Sequence, residues 1–235
     1  MYKKYGNKFM CFSPPVMLAT FLFEFGALFY ILWRYNMNTP AKLITIVLAA
    51  LGIFQLSEYM VCGGLGMHGG EWARLGYISI TALPALGVHL VYAIAKKKID
   101  WPVYAAYASM AAFMVYFLLL PGGISTLECR PNYAIFNFDM ISSIIYGLYY
   151  FLWLIIGTTL AWMWSNKQPK EKLALRWMTI GYILFIVPSC AVALINPVTI
   201  AGFPSIMCGF AVLLAITLTF MVVPRTSTIK RHFNR

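Results

Sequence analysis

The sequence predicts an all-α fold, a bundle of seven transmembrane helices. Apolar runs of about twenty residues recur along it, each long enough to cross a hydrocarbon core of about 30 Å. Charged residues make up only 11% of the 235 positions, against roughly 25% in soluble proteins. Hydrophobic residues reach 61%. Spanning segments and short loops use up the length, so residues 1–235 read as one transmembrane domain.

Helix 1 is expected at 15–33, with Pro15 tolerated in its first turn. No small-residue cleavage site follows this run, so it reads as a retained helix and not a signal peptide. It carries Glu24, with Thr20 one turn before it. Helix 2 is expected at 42–62, after the loop Asn36 to Pro40. Helix 3, at 72–95, contains Pro84 and His89 and ends at Lys96-Lys97-Lys98. Helix 4, at 102–120, is closed by Pro121-Gly122-Gly123. The longest connection, Ile124 to Met140, is expected as a loop. Helices 5, 6 and 7 are expected at 141–164, 173–195 and 198–223, the last opening after Asn196-Pro197.

Lys and Arg set the orientation. Thirteen fall on the connections after helices 1, 3 and 5 and on the tail, and five on the other side. The bias puts the N-terminus outside and the C-terminus in the cytoplasm of a bacterial inner membrane. Trp33, Trp72, Trp101, Trp162, Trp164 and Trp177 fall near helix ends, as an aromatic belt requires. The net charge of +11 fits contact with anionic lipid headgroups or a protein partner, and not nucleic acid.

Helix 2 holds the most informative stretch. Gln55, Glu58, Tyr59 and Cys62 recur at three- and four-residue spacings and so share a stripe. A charge at the centre of a membrane helix costs about 2.5–3.5 kcal/mol on insertion scales, so Glu58 marks a ligand site, a proton carrier or a counter-ion. The bland reading is a neutral glutamate hydrogen-bonded to a neighbouring helix. Cys11, Cys62, Cys129 and His68 gather on the outer side, where copper or zinc fits such ligands. A disulfide between two of the three outer cysteines is the other reading, with the pairing open. Cys190 and Cys208 read as packing residues. His89 reads as bonded to a neighbouring helix, with haem ligation a weak alternative. Tyr146, Tyr149, Tyr150 and Trp153 read as a packing stripe, with an aromatic ligand pocket as the sharper alternative. Helix 7 has no lysine, which excludes a retinal Schiff base. Three histidines, one of them in the tail, do not make a zinc hydrolase.

Met10-Cys11-Phe12-Ser13, followed by Gln55-x-x-Glu58 in helix 2, resembles a group of small bacterial membrane proteins of unknown function. Those proteins open with Met-Cys-Phe-Ser and carry Gln-x-x-Glu in helix 2. The resemblance spans about the first third of the chain, which here has nine residues ahead of Met10. It implies that Cys11, Ser13, Gln55 and Glu58 form one site, and it implies no activity.

The expected function is therefore non-enzymatic. Cys11, Ser13, Gln55, Glu58, Tyr59 and Cys62 line an outward-facing polar pocket with His68 at the rim. The pocket takes a small ligand or a metal ion, held by Cys62 and His68, for sensing or as part of a larger membrane assembly. The alternatives are a transporter or channel, which needs a polar path through the inner half, and a cofactor-binding oxidoreductase subunit. For that path, His89, Thr158-Thr159 and Thr217-Thr219 are the residues on offer.

Overall fold

The computed structural model describes residues 14–63, 69–119, 125–130, 133–137 and 140–230. Among them are seven helices long and apolar enough to cross a membrane. These are α1 (Pro14–Arg34), α2 (Thr39–Gly63), α3 (Gly69–Ile94), α4 (Trp101–Leu119), α5 (Met140–Lys167), α6 (Lys172–Ile195) and α7 (Phe203–Thr217). The last continues through a π turn, Leu218–Val222, into a final α turn, Val223–Thr226.

Local chemistry fixes the ends. The Asn38 carboxamide oxygen accepts the Ala41 N–H at 3.1 Å, capping α2 in front of Pro40. Beyond α3, Lys96 adopts φ 51°. The Lys97 N–H then reaches back to the Tyr92 carbonyl at 3.0 Å and the Lys96 N–H to Ala93 at 3.3 Å. This pattern satisfies two carbonyls that the helix leaves open.

Two expectations are corrected. The connection Ile124 to Met140 is not a plain loop, because β1 (Ser125–Arg130) pairs antiparallel with β2 (Tyr133–Asn137). The all-α reading therefore gains a hairpin, bulged between Thr126 and Glu128. Helix 7 is also not one regular helix over 198–223. Pro197–Gly202 forms a 3-10 turn, α7 starts at Phe203 with Pro204 in its first turn, and the π turn interrupts it further on.

α2 packs against both α1 and α3, α6 against α5 and α7, and α3 also meets α4 and α5. α2, α3 and α7 are mostly buried, whereas α1 and α4 turn most of their surface outward. Those outward faces are apolar, with Leu22, Phe29, Trp33, Trp101 and Tyr104 exposed. β1 lies against α2 and α3, and β2 against α7 and the 3-10 turn, so the hairpin covers the end of the bundle where α2 finishes and α7 begins.

Polar bonds tie α3, α4 and α5 together. Thr81 Oγ1 lies 3.1 Å from the Tyr146 hydroxyl, and Tyr149 donates to the Thr81 carbonyl at 2.7 Å. Trp153 Nε1 donates to Ser109 at 3.0 Å. The stripe Tyr146, Tyr149, Tyr150 and Trp153 is buried in the core, as a packing stripe should be. His89 bonds a neighbouring helix, with Nδ1 2.9 Å from the Tyr107 hydroxyl on α4. At the opposite end from the hairpin, the segment after α7 returns along the α1–α2 loop. The Asn36 N–H donates to Thr228 at 2.8 Å and the Lys230 N–H to Arg34 at 3.0 Å. The Ser227 hydroxyl donates to Asn38 Oδ1 at 2.7 Å.

Candidate functional site

Glu58 is 1% exposed and Gln55 2%, one turn apart on the face of α2 turned to the centre. The Ser205 hydroxyl of α7 donates to the Glu58 carboxyl, while Glu58 Oε1 and Gln55 Nε2 have no partner among the described residues. Tyr59 sits at the margin of the stripe and is only half-buried.

α1 supplies a second carboxyl. Glu24 is 0% exposed, and neither of its oxygens has a hydrogen-bond partner among the described residues. Thr20, one turn earlier, gives its hydroxyl to its own helix at Met17 and Val16. Glu24 and Glu58 lie close enough for their charges to interact. A close crossing of α1 on α2 accounts for that. A Cβ built at Gly52 would lie 3.7 Å from Glu24 Cβ and 2.6 Å from the Phe25 ring. Only glycine lets the two backbones approach with that ring between them.

α3 and α7 complete the surroundings. Gly76 admits Ser57 and Phe54 of α2, whose nearest atoms would stand 3.1 and 3.2 Å from its Cβ. That brings the buried Tyr77 within electrostatic reach of Glu58. Buried Cys208, three residues after Ser205, is within reach of both carboxylates. Four helices thus converge on the pair, and the one ion pair among the described residues, Lys96–Glu171 at 3.1 Å, joins the α3–α4 connection to the α5–α6 connection instead.

Beyond the pair lies a cavity of about 20 Å³, room for about one water. Cys208, Ala211, Leu214 and Leu218 of α7 line one side, and Leu83, Gly87, Tyr150 and Tyr182 stand among the residues opposite. Among the described residues the two carboxyls are buried between helices, and the rim of the outward-facing pocket expected there, Cys11, Ser13 and His68, lies outside the described residues.

Of the expected site residues, Gln55 and Glu58 are together on one buried face, and Tyr59 is beside them. Cys62 lies in the last turn of α2. Cys11, Ser13 and His68 lie outside the described residues, and so does Asp139. The metal reading at Cys62 and His68 and the disulfide among Cys11, Cys62 and Cys129 fall on those positions. Among the described residues, no group of three His, Cys, Asp or Glu side chains is gathered as a metal site. Glu24, Tyr77, Ser205 and Cys208 are the additions. Glu24 and Cys208 were visible as residue types, but their convergence on Glu58 depends on how the helices cross.

Chemically, two buried carboxyl groups with no cation paired to them among the described residues do not both carry charge at low cost. Each carboxyl can hold a proton, with Ser205 donating to Glu58 and no hydrogen bond joining the two carboxyls. No protein-family model matches the chain, and no curated protein matches it closely enough to serve as a relative.

Proposed function

We propose that this is a multi-pass protein of the bacterial inner membrane that binds protons at the Glu24–Glu58 pair, and that proton occupancy sets how α1 packs on α2 and α7. One observation carries the reading. Two carboxyl groups from different helices are fully buried, with three oxygens unpartnered among the described residues. Ionisable groups inside a membrane are expensive and mark function by default. Sensing, or a place in a larger membrane assembly, is the purpose such a site serves. Among the described residues, no set of side chains at the pair completes a catalytic constellation.

In this reading the N-terminus is outside and the basic end is cytoplasmic, following the bias of Lys and Arg. Exposed Lys42, Lys98, Lys167 and Lys170 then face anionic headgroups or a partner. Infrared spectroscopy of the protein in lipid nanodiscs tests the site. A protonated-carboxyl C=O band that responds to pH, and is reduced in both Glu24→Gln and Glu58→Gln, is expected. A band indifferent to either substitution refutes proton binding at the pair. Proton release on adding sodium at fixed pH would identify an alkali cation as the competing ligand.

A further inference from the structure

Three basic side chains meet around the end of α7. Arg34 closes α1, with its guanidinium carbon 5.7 Å from the centre of the Tyr30 ring. Tyr30 lies against Phe220 of the π turn, the ring centres 6.2 Å apart. One residue on, the Met221 carbonyl accepts a hydrogen bond from Arg225 Nη1 at 2.6 Å. The Arg225 guanidinium stands 5.8 Å from the centre of the Trp177 ring on α6. Lys230 completes the set, its N–H donating to the Arg34 carbonyl at 3.0 Å and its Nζ to the Leu32 carbonyl at 2.6 Å. These contacts form a continuous arc from α1 across the outer side of α7 to α6.

Like charges drawn onto one arc repel unless an anion lies among them. None of the three cations is ion-paired among the described residues. The one ion pair there is Lys96–Glu171, and Asp100 accepts the Tyr92 hydroxyl. Arg34 Nε and Trp177 Nε1 are two more N–H donors without a partner among the described residues. A guanidinium stacked on an aromatic ring keeps its in-plane donors for a planar fork, the geometry that suits a phosphate.

Depth and the surface below indicate where the phosphate comes from. The spans Lys172–Ile195 and Phe203–Thr226 are 24 residues each, or about 36 Å at 1.5 Å per residue. Trp177 and Arg225, near their ends, therefore fall at the headgroup level of a hydrocarbon core about 30 Å thick. Below the arc the outer surface is apolar. Ile216 and Phe220 are exposed on α7, and Ile180 and Leu184 on α6. Their three- and four-residue spacings from one another and from Trp177 keep each set on one face. Acyl chains would cover that strip, whereas a soluble anion would leave it unused.

We propose that the arc binds one anionic phospholipid. Its phosphodiester sits among Arg34, Arg225 and Lys230, and its acyl chains lie on the outer face of α7 between α1 and α6. Basic pockets between membrane helices recognise headgroups in this way. The site is independent of proton binding at the carboxyl pair, and it differs from a diffuse attraction of basic loops by placing one lipid on named side chains.

Native mass spectrometry of the protein in dodecyl maltoside, titrated with dioleoyl phosphatidylglycerol or dioleoyl phosphatidylcholine, tests it. Wild type is expected to take one phosphatidylglycerol in preference to phosphatidylcholine. Arg34→Gln with Arg225→Gln is expected to weaken that binding about thirtyfold, or roughly 2 kcal/mol. Lys98→Gln with Lys167→Gln removes the same charge from other connections and is expected to leave it unchanged. Arg225→Gln alone alters an exposed side chain and is expected to weaken binding about fivefold, so the test stands even if the double variant does not fold. Equal binding of the two lipids by wild type overturns the site. Equal losses in the two double variants also overturn it, because the attraction is then diffuse. Displacement of the lipid by excess inorganic phosphate overturns it too, because the ligand is then a soluble anion.

Discussion

Replacing Glu24 with methionine keeps the length of the side chain and removes its carboxyl group. Glu24 stands at the middle of α1, 0% exposed, with both oxygens unpartnered among the described residues. A buried polar group without a partner costs about 1–3 kcal/mol by mutational measures. The transfer scale for the centre of a membrane helix agrees, at about +2.5 to +3.5 kcal/mol for a charged residue against a slightly negative value for an apolar one. Glu24→Met is therefore expected to stabilise the protein by about 2 kcal/mol. At roughly 2–4 °C per kcal/mol for a chain of this size, the melting temperature rises by about 4–8 °C. Glu24→Gln keeps a polar head and gains less. Glu58→Met also gains less, because that carboxyl accepts a hydrogen bond from Ser205. Thermal unfolding of the three variants in one detergent gives the ranking. A loss of stability in Glu24→Met would mean that Glu24 is held by a structural partner, and the reasoning from its isolation would fail.

Two further outcomes follow from particular contacts. Gly52→Val places a Cβ where the Phe25 ring now lies 2.6 Å away, and this overpacking is expected to cost about 1–3 kcal/mol. Phe25→Ala in the same chain should recover most of it, and strictly additive losses in thermal unfolding would contradict the close crossing. Asn38→Ala removes the cap on α2 and the acceptor of the Ser227 hydroxyl, with an expected loss of about 1 kcal/mol. Trypsin should then cleave at Arg225 and Lys230 faster than in the wild type, and an unchanged digestion rate would mean that Asn38 does not hold the segment.

The seven helices were legible because hydrophobic length is a strong and local signal. Their ends were legible within a few residues for the same reason, helped by Pro15, Pro40 and the lysines after α3. The hairpin had a signal too, since Ser125–Arg130 and Tyr133–Asn137 flank the dipeptide Pro131-Asn132. Its weight was lost beside longer apolar runs. The π turn left no mark, because Leu218-Thr219-Phe220-Met221-Val222 contains neither glycine nor proline. Spacing within α2 put Gln55 and Glu58 on one face correctly. The same spacing could not say that Glu24, Ser205 and Cys208 of other helices would lie around this face. That placement depends on Gly52 and Gly76, whose meaning lies in which helix crosses them. Cys208 has the composition of a packing residue, and it does pack, at the edge of the carboxyl pair.

The central claim is that Glu24 and Glu58 act as one proton site and not as two separate buried acids. The measurement that tests it most directly is the infrared pH titration of the remaining carboxyl in Glu58→Gln, set against the same group in the wild type. Interacting sites titrate as a pair, so neutralising Glu58 should move the midpoint of Glu24. An identical midpoint in the two proteins would show that the carboxyls do not sense one another, and the account of a shared site would be contradicted.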